Sequence, residues 1–273
     1  LASVYPNGVA DVNEFQNAGG PSFVIRELLE NGCMFEDVLS VDGPGMEKYG
    51  QKLSFNDGHL IWEDFPKESD DDSIVRTHAS PFSQTGGLKL LKGNIGRSVM
   101  KTSAIPEDKY ILEGPAMIFD SQEELLEAFD NGKLEKDFIA VVRFQGPKAN
   151  GMPELHKLTP PMSVLQNKGF KVAIVTDGRM SGASGKVPAA IHMSPEAALG
   201  GAISKIREGD MIRINDVVGS LNVLVDEDTW HERKIETLSD AKKINNAHGM
   251  GRELFGAFRK NVLTAEEGAV TWI

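Results

Sequence analysis

One stretch constrains this chain more than any other: KVAIVTDGRMSGASGK, residues 171–186. Val172 to Val175 is an apolar run that predicts a buried strand, and it stops at Thr176-Asp177-Gly178. Residues 178–186 then hold three glycines, two serines, an arginine and a lysine. Such a chain must turn a buried strand straight into a loop with a freely bending backbone and many hydrogen-bonding groups. The pattern recurs upstream. FIAVVRF, Phe138–Phe144, is a strand by its β-branched content, and it leads into QGPKANGMPELHKL.

The other segments read as mixed α/β, an α+β pattern of many strands with interspersed helices. Asp11 and Glu14 form a capping box, Pro21 opens a second helix, and Gly32 stops it. KLSFNDGHLIW, 52–62, reads as a hairpin turned at Asp57-Gly58. Residues 64–75 are acidic and read as an exposed loop, and 82–98 as glycine-rich and irregular. Ala116–Phe119 is a short strand, and Ser121 with Glu124 caps a helix ended by Gly132. Thr159-Pro160 opens a short helix, and Ser194-Pro195-Glu196 caps one reaching about Ile206. Met211–Ile214 pairs with Leu221–Val225, and Gly251–Arg259 is a last helix. No internal repeat is visible.

Composition excludes some function classes. The chain has 273 residues, 40% of them hydrophobic, as in a globular protein with a sizeable core. Its 29 basic against 40 acidic residues leave −11, which argues against nucleic-acid binding but not against a local basic pocket for a small anion. No apolar run approaches the ~18–20 residues of a membrane span, and no signal peptide is seen. Cys33 is the single cysteine, so no intramolecular disulfide forms, which suits a reducing, cytoplasmic setting. One thiolate does not hold an iron–sulfur cluster. The opening Leu1, in place of Met, leads us to expect a fragment.

The 177–186 loop fails two motif tests. A Walker loop needs glycine at 180 and serine or threonine at 187, where the chain has Met180 and Val187. A nucleophile elbow needs glycines two before and two after the serine, and neither Ser181 nor Ser184 has both. Glycines still let backbone N–H groups approach an anion, Arg179 and Lys186 add positive charge, and a serine hydroxyl ionises more readily there. In the other loop, Glu154 follows Gly151 and Pro153, and its carboxylate can take a hard cation such as Mg²⁺. Alone, such a residue is more often an ordinary exposed glutamate. His156 and His192 lack metal-ligand spacing and read as packing or substrate-contact residues.

Together, VTDGRMSGASGKVPAAIHMSPEA, FQGPKANGMPELHKL and GGLKLLKGNIGRSVMKTSA resemble the dihydroxy-acid dehydratase/6-phosphogluconate dehydratase family, with VADVNEFQNAGG extending the likeness across the chain. The SGASGKVPAAIH and NGMPELHKL wording resembles the 6-phosphogluconate branch. The resemblance implies the C-terminal half of a hydro-lyase about twice this length. It implies a β-barrel-like swivelling domain with flanking helices over 41–273. Residues 1–40 would be a helical segment packing on an absent N-terminal iron–sulfur domain.

It also implies a reaction: 6-phospho-D-gluconate to 2-keto-3-deoxy-6-phosphogluconate, in Entner–Doudoroff sugar-acid catabolism. Ser181 would be the base that takes the C2 proton, and Glu154 a Mg²⁺ ligand. An iron–sulfur cluster would be held by the absent half, and Cys33 has no obvious claim on it. Asp177, Arg179, Ser184, Lys186 and His192 are assigned to substrate contact, with Lys186 toward the 6-phosphate. A homodimer is expected, because the face left by the missing domain would be apolar. The alternatives are a dihydroxy-acid or other sugar-acid dehydratase of the family, and a non-catalytic binding or assembly domain. The KVPAAIH segment favours the phosphorylated substrate, and the fragment alone is expected to be inactive.

Overall fold

A computed structural model describes residues 1–5, 7–64, 67–103, 105–181 and 186–271. The chain divides into two compact units, Leu1–Gly86 and Gly87–Ile273.

In the first unit, α1 (Val12–Asn17) carries the expected capping box: Asp11 accepts from Glu14 N–H while the Glu14 side chain accepts from Asp11 N–H. Helix α2 (Gly20–Glu30) has proline in its first turn and buries Phe23 against Ala18 and Val75. A two-residue pair, β1 (Leu39–Ser40) with β2 (Gly43–Pro44), follows. Strands β3 (Lys52–Asn56) and β4 (His59–Glu63) then form the predicted hairpin. Asp57 and Gly58 have φ 48° and 80°, the two positive values that a type I′ turn needs.

The second unit is a closed eight-stranded barrel. Its strands are β5 (Leu88–Gly93), β6 (Gly96–Lys101), β7 (Ile111–Phe119), β8 (Phe138–Val142), β9 (Val172–Thr176), β10 (Ala189–Ser194), β11 (Met211–Asn215) and β12 (Ser220–Val223). Around the barrel the order is β10-β6-β5-β12-β11-β7-β8-β9, with β7, β8, β9 and β10 successively parallel. Closure removes the free edges that would otherwise invite pairing with another chain.

The helices of this unit are α3 (Gln122–Asp130), α4 (Pro147–Asn150), α5 (Thr159–Asn167), α6 (Glu227–Glu232), α7 (Asp240–Ala247) and α8 (Gly256–Asn261). Among the described residues, no helix is long and apolar enough to cross a membrane.

The unbroken apolar runs of β8 and β9 have a physical cause: both strands are buried on both faces. Successive side chains point to opposite faces of a strand. Ile139, Val141, Ala173 and Val175 face the barrel interior with Leu91, Met100, Ile212 and Leu221. Phe138, Ala140, Val142, Val172 and Ile174 face outward against Leu125 of α3 and Met162 and Leu165 of α5. Both strands are buried throughout, and both predicted site loops leave from their C-terminal ends.

Three sequence expectations change. The segment 82–98, expected to be irregular, contains β5 and opens β6, which pair as an antiparallel hairpin. Its glycines answer to crowding: a Cβ on Gly93 would sit 1.7 Å from Leu221 O, and Gly96 has φ 132°. The helix expected from Ser194 to about Ile206 is two short 3₁₀ turns, Ala197–Leu199 and Ala202–Lys205. Gly200, at φ 77°, and Gly201, whose Cβ would meet Pro195 O at 1.8 Å, separate them. The last helix begins as a 3₁₀ turn, Arg252–Phe255, and α8 then runs to Asn261.

Candidate active site

The loops after β8 and β9 meet through Glu154. Its Oε1 accepts from the Ser181 backbone N–H at 2.8 Å, and its Oε2 pairs with the Arg179 guanidinium at 2.8 Å. Arg179 also donates through Nε to Met152 O at 2.9 Å, and Leu155 N–H donates to Arg179 O at 3.2 Å. The two loops therefore run side by side as an isolated parallel bridge, Glu154 with Arg179. Ser181 and Arg179 are exposed, while Glu154 is partly exposed. Three of the predicted site residues, 154, 179 and 181, thus share one patch.

Asp177 lies elsewhere in the network. It is fully buried, and its carboxylate accepts from Phe144 N–H (3.2 Å), Gln145 N–H (2.9 Å) and Ala197 N–H (2.9 Å). Its side chain has no surface to offer a ligand; it ties the start of one loop to the start of the other. Burial pushes its pKa up to about 6, against the pull of those three N–H groups. The adjoining Gly178 is required by space. A Cβ there would lie 2.7 Å from Leu155 Cδ1 and 2.8 Å from Gln145 Cβ.

His192 is half-buried in β10 at φ 56°, where the strand's pairing with β6 is irregular between Ile191 and Ser194. Its N–H donates to Gly178 O at 2.9 Å. Burial, and then the charge of Arg179, hold its pKa below the ordinary histidine value, so the ring beside the site is neutral at pH 7. Phe144 and Met152 also have positive φ, 59° and 50°. Non-glycine residues held in that region persist only where their surroundings over-determine them. Lys186 is exposed, and Ser184 lies outside the described residues.

Sequence reasoning missed Glu196. It is 3% exposed and accepts from Lys148 N–H at 2.8 Å and Ala149 N–H at 3.2 Å. Its signal in the sequence, Ser-Pro-Glu, reads as a helix start, and nothing local shows that the carboxylate reaches a loop 47 residues away.

The metal expectation meets a limit. Among the described residues, no group of three or more His, Cys, Asp or Glu side chains converges to hold a metal ion. Glu154 is a single donor whose two oxygens already serve Ser181 and Arg179. Cys33 is exposed, with His78 Nε2 3.9 Å from its sulfur. These residues do not by themselves compose a metal or cluster site.

Comparison with known proteins follows the same lines. Residues 73–269 match the family model described as dihydroxy-acid/6-phosphogluconate dehydratase C-terminal. The chain is 53% identical to phosphogluconate dehydratase of Pseudomonas aeruginosa over 272 residues, covering 100% of this chain and 44% of that protein. It is 51% identical to phosphogluconate dehydratase of Zymomonas mobilis over 271 residues, 99% of this chain and 44% of that protein. Identity to dihydroxy-acid dehydratase of Caldanaerobacter subterraneus is 34% over 274 residues, 99% of this chain and 45% of that protein. The chain thus spans less than half the length of the curated relatives it matches. With a closed barrel whose two strand-end loops converge on Glu154, and with the family model matching residues 73–269, the chain belongs to the dihydroxy-acid/6-phosphogluconate dehydratase C-terminal family.

Proposed function

We propose that this chain is the C-terminal part of an enzyme that dehydrates 6-phospho-D-gluconate to 2-keto-3-deoxy-6-phosphogluconate. One observation carries the reading: a single carboxylate, Glu154, holds both the Ser181 backbone and the Arg179 guanidinium. The names and identities of the relatives support the phosphorylated acid as substrate.

In this reading ionised Ser181 takes the proton from C2, the C3 hydroxyl is expelled, and that proton is passed on to it so that it departs as water. The enol so formed tautomerises to the 2-keto-3-deoxy acid. A free serine is too weak a base for this step, so its hydroxyl must lie in a strongly positive field. Arg179, paired with Glu154, adds little net field of its own and serves to orient an anionic substrate. Lys186, which is exposed, is suited to the phosphate, with Ser184 near it in sequence.

An iron–sulfur cluster and Mg²⁺, implied by the family resemblance, would supply Lewis acidity to the leaving hydroxyl and the substrate carboxylate, with most ligands outside this chain. Residues 1–40 are proposed to pack on the remainder of the polypeptide, and the exposed side chains of Tyr5, Val9, Val12 and Phe35 support this. A cytoplasmic homodimer completes the reading, and the lone cysteine suits that compartment.

The test is dehydration of 6-phosphogluconate by the full-length polypeptide, followed as 2-keto acid. Wild type should turn over, and Ser181→Ala should lose on the order of 10²–10⁴-fold, the usual worth of a positioned base. Undiminished activity in Ser181→Ala would remove the serine from the mechanism. Activity only on a non-phosphorylated acid would overturn the substrate class.

A further inference from the structure

Glu196 has no place in the chemistry above, yet it is a buried carboxylate whose two oxygens both reach across to another segment. Its Oε1 accepts from Lys148 N–H at 2.8 Å and its Oε2 from Ala149 N–H at 3.2 Å. Those amides open α4, a helix too short to be stable on its own merits. One residue along the chain, Ala197 N–H donates to Asp177 Oδ2, and Asp177 in turn accepts from Phe144 and Gln145. The backbone of 144–149 is therefore held by two carboxylates, those of Asp177 and Glu196.

Space in the chain agrees with this. A Cβ on Gly146 would fall 2.1 Å from Glu196 Oε2, although its φ of −71° is open to any residue. Glycine is needed at 146 for the approach of Glu196, not for the turn.

The geometry points to Glu196 as a positioning residue for the proposed dehydration: it fixes the start of the loop that ends in Glu154, and through Glu154 the Ser181 backbone. The path is short and hydrogen-bonded throughout. Gly151 N–H donates to Pro147 O and Met152 N–H to Gly146 O, closing the turn that follows α4. Met152 O then accepts from Arg179 Nε, and Glu154 receives Ser181 N–H. The same loop is also held by the C-terminal segment. Lys148 Nζ donates to Lys260 O, and Asn246 donates to Ala149 O. Because these bonds to the C-terminal segment do not involve Glu196, replacing Glu196 is expected to shift the loop without unravelling it. This inference deepens the proposed function and rests on it for its activity arm.

Two variants and two readouts test it. Residue-resolved amide exchange is measured first on the full-length polypeptide with wild type, Glu196→Gln and Glu196→Ala. Removing the acceptor should speed exchange at Lys148 and Ala149 by about 10-fold or more, the loss of one ordinary hydrogen bond. Glu196→Gln retains one acceptor oxygen and should speed one of the two amides. Unchanged exchange at both amides in a folded Glu196→Ala protein would overturn the latch. If Glu196→Ala does not fold, Glu196→Gln decides by the same criterion.

Turnover of 6-phosphogluconate by the full-length polypeptide is measured second. The expected signature is a fall in kcat on the order of 10²-fold with KM nearly unchanged, as for a misplacement of catalytic groups by about 1 Å. Glu196→Gln should recover part of it. A variant that loses thermal stability but keeps wild-type kcat per folded molecule would show a structural role only and overturn the positioning role. Absence of turnover in wild type would instead refute the dehydratase reading, leaving the exchange result to stand on its own.

Discussion

Glu154 holds Ser181 by its backbone: the amide of one donates to the carboxylate of the other at 2.8 Å, across two loops that leave neighbouring strands. The serine hydroxyl thus inherits its position from a residue 27 places earlier. Glu154→Ala should remove both this bond and the pairing with Arg179. The Ser181 amide should exchange faster, and turnover by the full-length enzyme should fall on the order of 10²-fold. Glu154→Gln keeps one acceptor and should fall less in amide protection, though it loses the charge that pairs with Arg179.

His192 should titrate below the ordinary histidine range. Burial is the larger cause and the Arg179 charge the smaller. Because its folded pKa is depressed, the neutral ring contributes stability above about pH 6.5, lost as pH falls through the folded value. NMR titration of the ring in wild type and Arg179→Gln checks this: the midpoint should rise in the variant but stay below that of an exposed histidine.

Asp177 gives the opposite sign. Its folded pKa, about 6, is above its unfolded value of 3.8, so the folded chain binds more protons between those limits. Its contribution to stability is greatest below about pH 4 and is lost as pH rises through about 6. The wild-type minus Asp177→Asn difference in unfolding free energy should therefore fall between pH 4 and 6 and be flat above about 7. Denaturant titrations at five or six pH values would show it. A difference that grows with pH would refute the assignment.

Gly178→Ala should destabilise the barrel unit by about 1–3 kcal/mol, the usual cost of overpacking. The added methyl meets Gln145 Cβ at 2.8 Å, close to the backbone, where little can move. A double variant with Leu155→Ala relieves only the other contact, at 2.7 Å, and should not restore wild-type stability in thermal unfolding.

Parts of this arrangement were legible in the sequence. Strands β8 and β9 were visible because doubly buried strands need unbroken apolar runs. The hairpin at Asp57-Gly58 and the caps at Asp11 and Ser121 were visible because their chemistry is confined to four neighbouring residues. The loops bearing Glu154 and Ser181 stood out through their glycines and charges. Strands β5, β6 and β10 were not legible as strands. The glycines of β5 and β6 imitate loop signals, and are there because another backbone approaches closely, as Leu221 O does at Gly93; β10 holds no glycine, and its register against β6 is broken between Ile191 and Ser194.

The sequence by itself determined the rigid posts and the chemical content of the loops after them, since both depend on local composition and strand periodicity. Only the tertiary structure decided which carboxylate does what. Asp177, Glu154 and Glu196 are all acidic residues beside glycine- or proline-containing turns, and nothing local separates them. Burial and distant backbone amides turn Asp177 and Glu196 inward to bind Phe144, Gln145, Ala197, Lys148 and Ala149, and leave Glu154 partly exposed to hold Ser181. A carboxylate's role follows from its solvation and from the donors that reach it, and in this barrel those donors come from residues 20 to 48 positions away.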